Sequence, residues 1–144
     1  FHGRDLFAPA AAHLARGIEL SELGPPIDPE ALVRLDLPVP VFSPGRIDAT
    51  ALYVDSFGNI ALNLSRASLD DLGIAPGTRL ELEIGGQRYY AIAARTFADA
   101  RAGDVILYED SYRNMSIAIN RGNAASMLHA VPGREITIRT LDGV

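Results

Sequence analysis

The chain has 144 residues, close to half of them hydrophobic, and no cysteine. That is enough for one domain, or one small domain plus part of another, and it excludes a disulfide framework and thiolate chemistry. The formal net charge of -5 lacks the basic footprint of a nucleic-acid binder, and no apolar run approaches the ~20 residues that span a bilayer, so neither nucleic acid nor membrane is an expected partner and the expected compartment is the cytoplasm.

Asp5 is placed to cap a helix over 6–16, with Pro9 in its first turn and Gly17 as its stop. Leu6, Ala10 and Leu14, with Phe7 and Ala11, follow helical spacing and predict one buried face. The opening residues read as this capped helix and not as a secretory leader. Little in the following stretch can pack against it, so the helix is expected to belong to a domain that lies mostly outside the chain. Segment 21–44 carries Gly24-Pro25-Pro26, Asp28-Pro29, Pro38, Pro40 and Pro44. Proline removes backbone donors and restricts its neighbour, so this segment reads as a linker with room for one short helical turn at Asp28-Pro29-Glu30.

From Gly45 onward short apolar and alternating runs predict strands over 47–54, 60–64, 79–84, 87–94, 105–108, 115–119 and 135–140. Leu80-Glu81-Leu82-Glu83-Ile84 alternates strictly, and Gly85-Gly86 suits a two-residue hairpin turn. Short helices are expected over 68–72, stopped by Gly73, and over 123–129, capped by Asn123. These elements predict an antiparallel barrel or sandwich over 45–144, following the end of an N-terminal domain over 1–20 and a linker over 21–44. No internal repeat and no low-complexity segment is read.

Three polar stretches can carry chemistry. Asp55-Ser56-Phe57-Gly58-Asn59 lies between apolar runs, and its Gly-Asn pair suits a bend with positive φ. Its carboxylate can hold an ammonium and its amide can read a donor and an acceptor together. An ordinary polar hairpin is the other reading. Asp110-Ser111-Tyr112-Arg113-Asn114 is a second such stretch, in which Ser111 and Arg113 can hold a carboxylate or simply form an exposed turn. Asn120-Arg121-Gly122-Asn123 leads into the last predicted helix. Of the three histidines, His13 and His129 have no second ligand at metal spacing. His2, between Phe1 and Gly3, can orient a water or take a proton. No metal site is expected.

Phe1-His2-Gly3-Arg4-Asp5-Leu6-Phe7-Ala8-Pro9-Ala10-Ala11, Val54-Asp55-Ser56-Phe57-Gly58-Asn59-Ile60 and Ser116-Ile117-Ala118-Ile119-Asn120-Arg121-Gly122-Asn123-Ala124-Ala125 resemble three segments of one family, in order. The family is the S-adenosylmethionine hydroxide adenosyltransferases, also called SAM hydrolases, which are related to the SAM-dependent fluorinases and chlorinases. The resemblance implies an α/β N-terminal domain, mostly missing here, joined through a linker to an antiparallel β-barrel-like C-terminal domain. It implies cleavage of S-adenosylmethionine to adenosine and methionine by in-line attack of water or hydroxide on the ribose C5′, with no cofactor. It also implies a homotrimer whose sites form between neighbouring subunits, so that a chain or segment carrying the N-terminal half is an expected partner.

By the same resemblance His2 belongs to a water-positioning Asp-Arg-His set whose other members lie in the missing half. Phe1 and Gly3 line the nucleophile pocket. Asp55 takes the methionine ammonium, Asn59 reads adenine, and Phe97 stacks on adenine. Ser111 contacts the methionine carboxylate, and the backbones of Ile119 and Arg121 pair with the adenine edge. Arg113 stands where relatives carry glycine, which implies a different carboxylate clamp. A SAM-dependent halogenase and a non-catalytic module binding SAM or adenosine are the alternatives, and His2 favours water over halide.

Overall fold

The structure is a computed structural model and describes residues 1–34 and 36–141. The chain divides into two compact units, Phe1–Asp36 and Leu37–Val144.

The first unit is helical and small. A π-helical turn, Gly3–Phe7, runs into α1, Ala8–Ala15. The helix thus begins before the expected cap, and Asp5 does not cap it. The Asp5 carboxylate instead accepts from the Arg4 guanidinium at 2.6 and 3.2 Å. The ring of Pro9 needs room where the carbonyl of residue i−4 would stand, and the preceding wide turn is where that room lies. Gly17 ends α1 as predicted. Its φ is +85°, its N–H bonds the Leu14 carbonyl, and the Ile18 N–H reaches back to His13, the two bonds of a Schellman motif. A single turn α2, Leu20–Leu23, and a 3₁₀ turn, Pro29–Ala31, follow. Asp28 caps the latter, accepting from the Glu30 N–H at 2.9 Å. No described residue of this unit is buried, so the predicted buried face of α1 is exposed, with Phe7 68% accessible.

The second unit is a closed barrel. Its strands are β1 Val41–Ser43, β2 Arg46–Val54, β3 Ile60–Ser65, β4 Arg79–Ile84, β5 Gln87–Ala93, β6 Val105–Glu109, β7 Asn114–Ile119 and β8 Glu135–Thr140. The order is β1-β2-β3-β7-β6-β5-β4-β8, and β8 pairs back on β2, so seven strands form the ring with β1 beside β2. β1 lies in the segment read as linker; three residues among prolines leave little strand signal. Strand ends otherwise fall within a residue of expectation. Gly85 and Gly86, both at positive φ, make the two-residue turn between β4 and β5. Two short helices, α3 Arg66–Asp71 and α4 Ala124–Leu128, begin at Ser65 and Asn123, whose side chains cap them.

Alternation sets the core. Ile47, Ala49 and Ala51 of β2, Leu80, Leu82 and Ile84 of β4, and Ile136 and Ile138 of β8 face inward with Ile60, Leu62, Met115 and Ile117. The outward residues of β4 and β8 pair across strands, with Arg139 donating to Glu81 at 3.2 Å and to Glu83 at 2.8 Å. The barrel is mixed where the sequence predicts antiparallel: β5 and β6 run parallel. Residues 94–104 form the crossover that such a pair needs.

The repeat that the sequence reading misses is visible in the topology. β2-β3-α3-β4 and β6-β7-α4-β8 are each strand, turn, strand, short helix, strand. Leu52-Tyr53-Val54-Asp55-Ser56-Phe57-Gly58-Asn59 is matched by Leu107-Tyr108-Glu109-Asp110-Ser111-Tyr112-Arg113-Asn114, with Leu, Tyr, Asp, Ser and Asn recurring. Ala61 and Ser116 hold the same place in the two repeats and face each other across β3 and β7. The halves are thus related by an approximate two-fold axis, and β5 is the extra strand whose insertion makes the parallel pair.

Candidate functional site

The turn between β2 and β3 is built around Asp55. One carboxylate oxygen, Oδ1, accepts from the backbone N–H of Phe57 and of Asn59, each at 2.9 Å. The other, Oδ2, accepts from the Asn59 side-chain amide at 2.8 Å. The backbone closes the turn with the Asp55 N–H on the Asn59 carbonyl and the Gly58 N–H on the Asp55 carbonyl. Gly58 sits at φ +85°. A Cβ there would lie 2.2 Å from the Asn123 side chain, so only glycine fits. The Gly58 carbonyl accepts the Ala125 N–H at 2.9 Å, which joins this turn to the start of α4.

Burial pulls the Asp55 carboxyl upward, but the amide and side chain of Asn59 and the amides of Phe57 and Gly58 outweigh it. Its pKa lies below the ordinary aspartate value, so the group is a carboxylate at neutral pH.

A second loop faces this turn. Asn120 donates its side-chain amide to the carbonyls of Phe97 and Ala100, at 3.1 and 2.8 Å, and so pins the crossover. Thr96 and Asp99 form a capping box at the same place. Ala94 joins Ile106 and Ala118 in a second buried apolar cluster, against which Ala100 and Tyr108 pack. Phe97 is thereby set against Tyr108, with ring centroids 5.0 Å apart and planes tilted by 60°. Arg121 takes a left-handed φ of 61°, and Gly122 closes the turn by donating to the Ile119 carbonyl.

Together these loops enclose an open cleft of about 520 Å³, lined by Asp55, Phe57, Asn59, Phe97, Tyr108, Ile119, Arg121 and Gly122. Five predicted site residues, Asp55, Asn59, Phe97, Ile119 and Arg121, therefore meet in one place. The aromatic walls offer stacking, the Asn59 amide and loop backbone offer donors and acceptors, and Asp55 offers negative charge. That set suits a flat heterocycle carrying a nearby cation.

Ser111 lies on the turn between β6 and β7 and is exposed, as are Tyr112 and Arg113. Phe1, His2 and Gly3 lie at the start of the first unit, exposed, with the Arg4 guanidinium over the Phe1 ring at 4.8 Å. Tyr108 and Gly122 line the cleft although the sequence reading did not single them out as site residues. The signal for Tyr108 was present, since it stands before Asp110 as Tyr53 stands before Asp55. Among the described residues no group of three or more His, Asp or Glu side chains can hold a metal ion, and no helix is long and apolar enough to cross a membrane.

The chain is similar to known proteins along almost its whole length. Residues 49–137 match the SAM hydroxide adenosyltransferase C-terminal domain. The chain is 39% identical over 140 residues to an (R)-S-adenosyl-L-methionine hydrolase of Salinispora tropica, covering 96% of this chain and 50% of that protein. It is 36% identical over 138 residues to an (R)-S-adenosyl-L-methionine hydrolase of Thermus thermophilus, covering 96% of this chain and 48% of that protein. A fluorinase of an Actinoplanes species is 31% identical over 142 residues, covering 96% of this chain and 48% of that protein. The chain thus spans about half the length of the curated relatives it matches. Among solved structures, an uncharacterized conserved protein from Thermotoga maritima superposes with a TM-score of 0.77 at 31% identity, covering 96% of this chain and 52% of that one. The domain matched over 49–137 and the hydrolase relatives aligned along 96% of the chain make this chain a member of the SAM hydroxide adenosyltransferase family.

Proposed function

We propose that this chain supplies the adenosine- and methionine-holding side of an enzyme that hydrolyses S-adenosylmethionine to adenosine and methionine. The observation that carries the reading is the meeting of Asp55, Asn59, Phe97, Ile119 and Arg121 in one cleft. In it Phe97 stacks on adenine, while Asn59 and the backbones of Ile119 and Arg121 read the adenine edge. The Asp55 carboxylate takes the methionine ammonium, and Ser111 contacts the methionine carboxylate. His2, with Phe1 and Gly3 beside it, orients the attacking water.

The step is an in-line displacement. A water oxygen forms a bond to C5′, the C5′–S bond breaks with its electron pair going to sulfur, and one proton is released. The sulfonium is already a good leaving group, so the residues need only align nucleophile and substrate, and the reading calls for no metal or cofactor. The complete site is proposed to form between subunits of a homotrimer, with the N-terminal half supplying the remaining water-positioning groups, and the enzyme to work in the cytoplasm. The fluorinase likeness makes halogenation the second reading, but the hydrolase relatives are more similar, and His2 suits water.

The test is turnover of S-adenosylmethionine by the complete protein, with the nucleoside product separated by chromatography in chloride and chloride-free buffer. Adenosine in both is expected. Chlorodeoxyadenosine as the main product favours the halogenase, and tight binding without any product favours a non-catalytic binding module. His2→Ala should lower turnover by roughly 10²–10⁴-fold if the imidazole takes the proton, and by less if it only orients water. Full activity of that variant removes His2 from the mechanism.

A further inference from the structure

The internal two-fold places Tyr53, Ala61, Ser116 and Tyr108 in one cross-strand row over β2, β3, β7 and β6. Each tyrosine starts two residues before the aspartate of its own hairpin but approaches the carboxylate of the other. Tyr108 lines the cleft with Asp55. The Tyr53 hydroxyl stands 3.5 Å from Asp110 Oδ2.

Asp110 repeats the scheme of Asp55. Its Oδ1 accepts from the N–H of Tyr112 at 2.8 Å and of Asn114 at 3.0 Å, while its Oδ2 accepts the Ser116 hydroxyl at 2.9 Å. The anchorage of the two turns differs. Gly58 is buried against Asn123 and held by the Ala125 N–H. Its counterpart Arg113 is exposed at a left-handed φ of 66°. The outer oxygen of Asp110, with Ser116 and Tyr53 on it, therefore carries more of the work of holding the second turn.

We propose that Tyr53 is a positioning residue for the Asp110–Asn114 turn, fixing Ser111 and Arg113 where they meet the carboxylate of an amino-acid ligand. This rests on the reading of the substrate given above. Burial and then the Asp110 charge raise the Tyr53 phenol, so the hydroxyl remains a donor at neutral pH.

The test uses Tyr53→Phe in the complete protein. Loss of one hydrogen bond should weaken S-adenosylmethionine binding by roughly three- to tenfold and leave adenosine binding within about twofold, because adenosine has no amino-acid end. KM should rise while kcat at saturation stays within about twofold, and a decarboxylated substrate should lose most of the difference. Equal weakening of adenosine and S-adenosylmethionine, or a fall in kcat with KM unmoved, overturns the proposal. A second measurement needs no ligand: amide exchange at Tyr112 and Asn114 should quicken in Tyr53→Phe while exchange at Phe57 and Asn59 holds. Equal change in both turns, or in neither, overturns the positioning role. If the wild-type protein binds neither nucleoside, the substrate reading and the ligand half of the proposal fail together, and the exchange data alone decide whether Tyr53 holds the turn.

Discussion

The Asp55–Asn59 and Asp110–Asn114 turns share a backbone and differ in what surrounds it. In both, an aspartate accepts two backbone N–H groups ahead of it, the aspartate N–H meets the asparagine carbonyl, and the fourth residue has positive φ. The first turn has Gly58 at that fourth place, pressed on Asn123, and Ala61 further along. The second has Arg113 and Ser116, and the Ser116 hydroxyl takes the place on Oδ2 that the Asn59 amide takes on Asp55. The shared part makes a turn. The unshared part decides that the cleft opens beside the first turn, where the missing Cβ lets the loop before α4 close in.

Exchanging the fourth residues breaks that comparison most directly. Gly58→Ala forces a Cβ to within 2.2 Å of the Asn123 side chain at a φ of +85°. Overpacking and left-handed strain together should cost roughly 2–4 kcal/mol. Arg113→Gly should have the opposite sign: relief of the left-handed backbone, partly offset by a more flexible unfolded chain, leaves a gain of about 0–1 kcal/mol. Urea unfolding midpoints of the two variants check both signs. A Gly58→Ala protein as stable as wild type would mean that Asn123 can move aside, and that the first turn is no more constrained than the second.

The fold was legible where burial imposes a period. Leu80 to Ile84 alternates because Leu80, Leu82 and Ile84 fill the core while Glu81 and Glu83 meet charges on the outside. Strand direction leaves no such mark. Val105 to Leu107 are all buried and read as a strand, but nothing in them says that β6 runs parallel to β5. Asp5 looked like a cap because residue type alone does not reveal that Arg4 beside it takes its carboxylate. In the cleft, Asp55 and Asn59 were legible from turn chemistry, and Phe97, Ile119 and Arg121 from likeness to relatives. Tyr108 was missed because it ends an apolar strand, and the repeat that marks it keeps identities only at spaced positions.

The asparagines that close the two turns sharpen the comparison further. Asn59 lines the cleft and Asn114 does not belong to its lining. If Asn59 reads adenine, Asn59→Ala should weaken adenosine binding by roughly 1–3 kcal/mol, the cost of leaving a buried polar partner unpaired. Asn114→Ala, equivalent in the repeat, should change adenosine affinity by less than about twofold. Calorimetry on the complete protein compares them. Equal losses would show that both substitutions act through barrel stability and that the cleft does not distinguish its two halves.

The smallest expected effect concerns the proton on Asp55. Burial favours the neutral acid, whereas the N–H groups of Asn59, Phe57 and Gly58 favour the carboxylate, and the second influence wins. The folded pKa then lies below the unfolded value of about 3.9, and the sign of the linkage follows. The unfolded chain takes up the proton first, so the stabilisation is fully present above the unfolded pKa. It is lost as pH falls through the folded pKa. Carboxyl NMR titration should therefore place the Asp55 midpoint below the ordinary aspartate range. Asn59→Ala removes the side-chain donor at 2.8 Å but leaves the two backbone donors on Oδ1, so the midpoint should move up part of the way and no further. An Asp55 midpoint above the ordinary value would mean that burial dominates. The carboxylate would then lose its charge at a higher pH than free aspartate does, and its hold on an ammonium or a sulfonium would weaken correspondingly sooner as pH falls. A midpoint that stays low in Asn59→Ala would assign the depression to the turn's backbone, the part that both turns share.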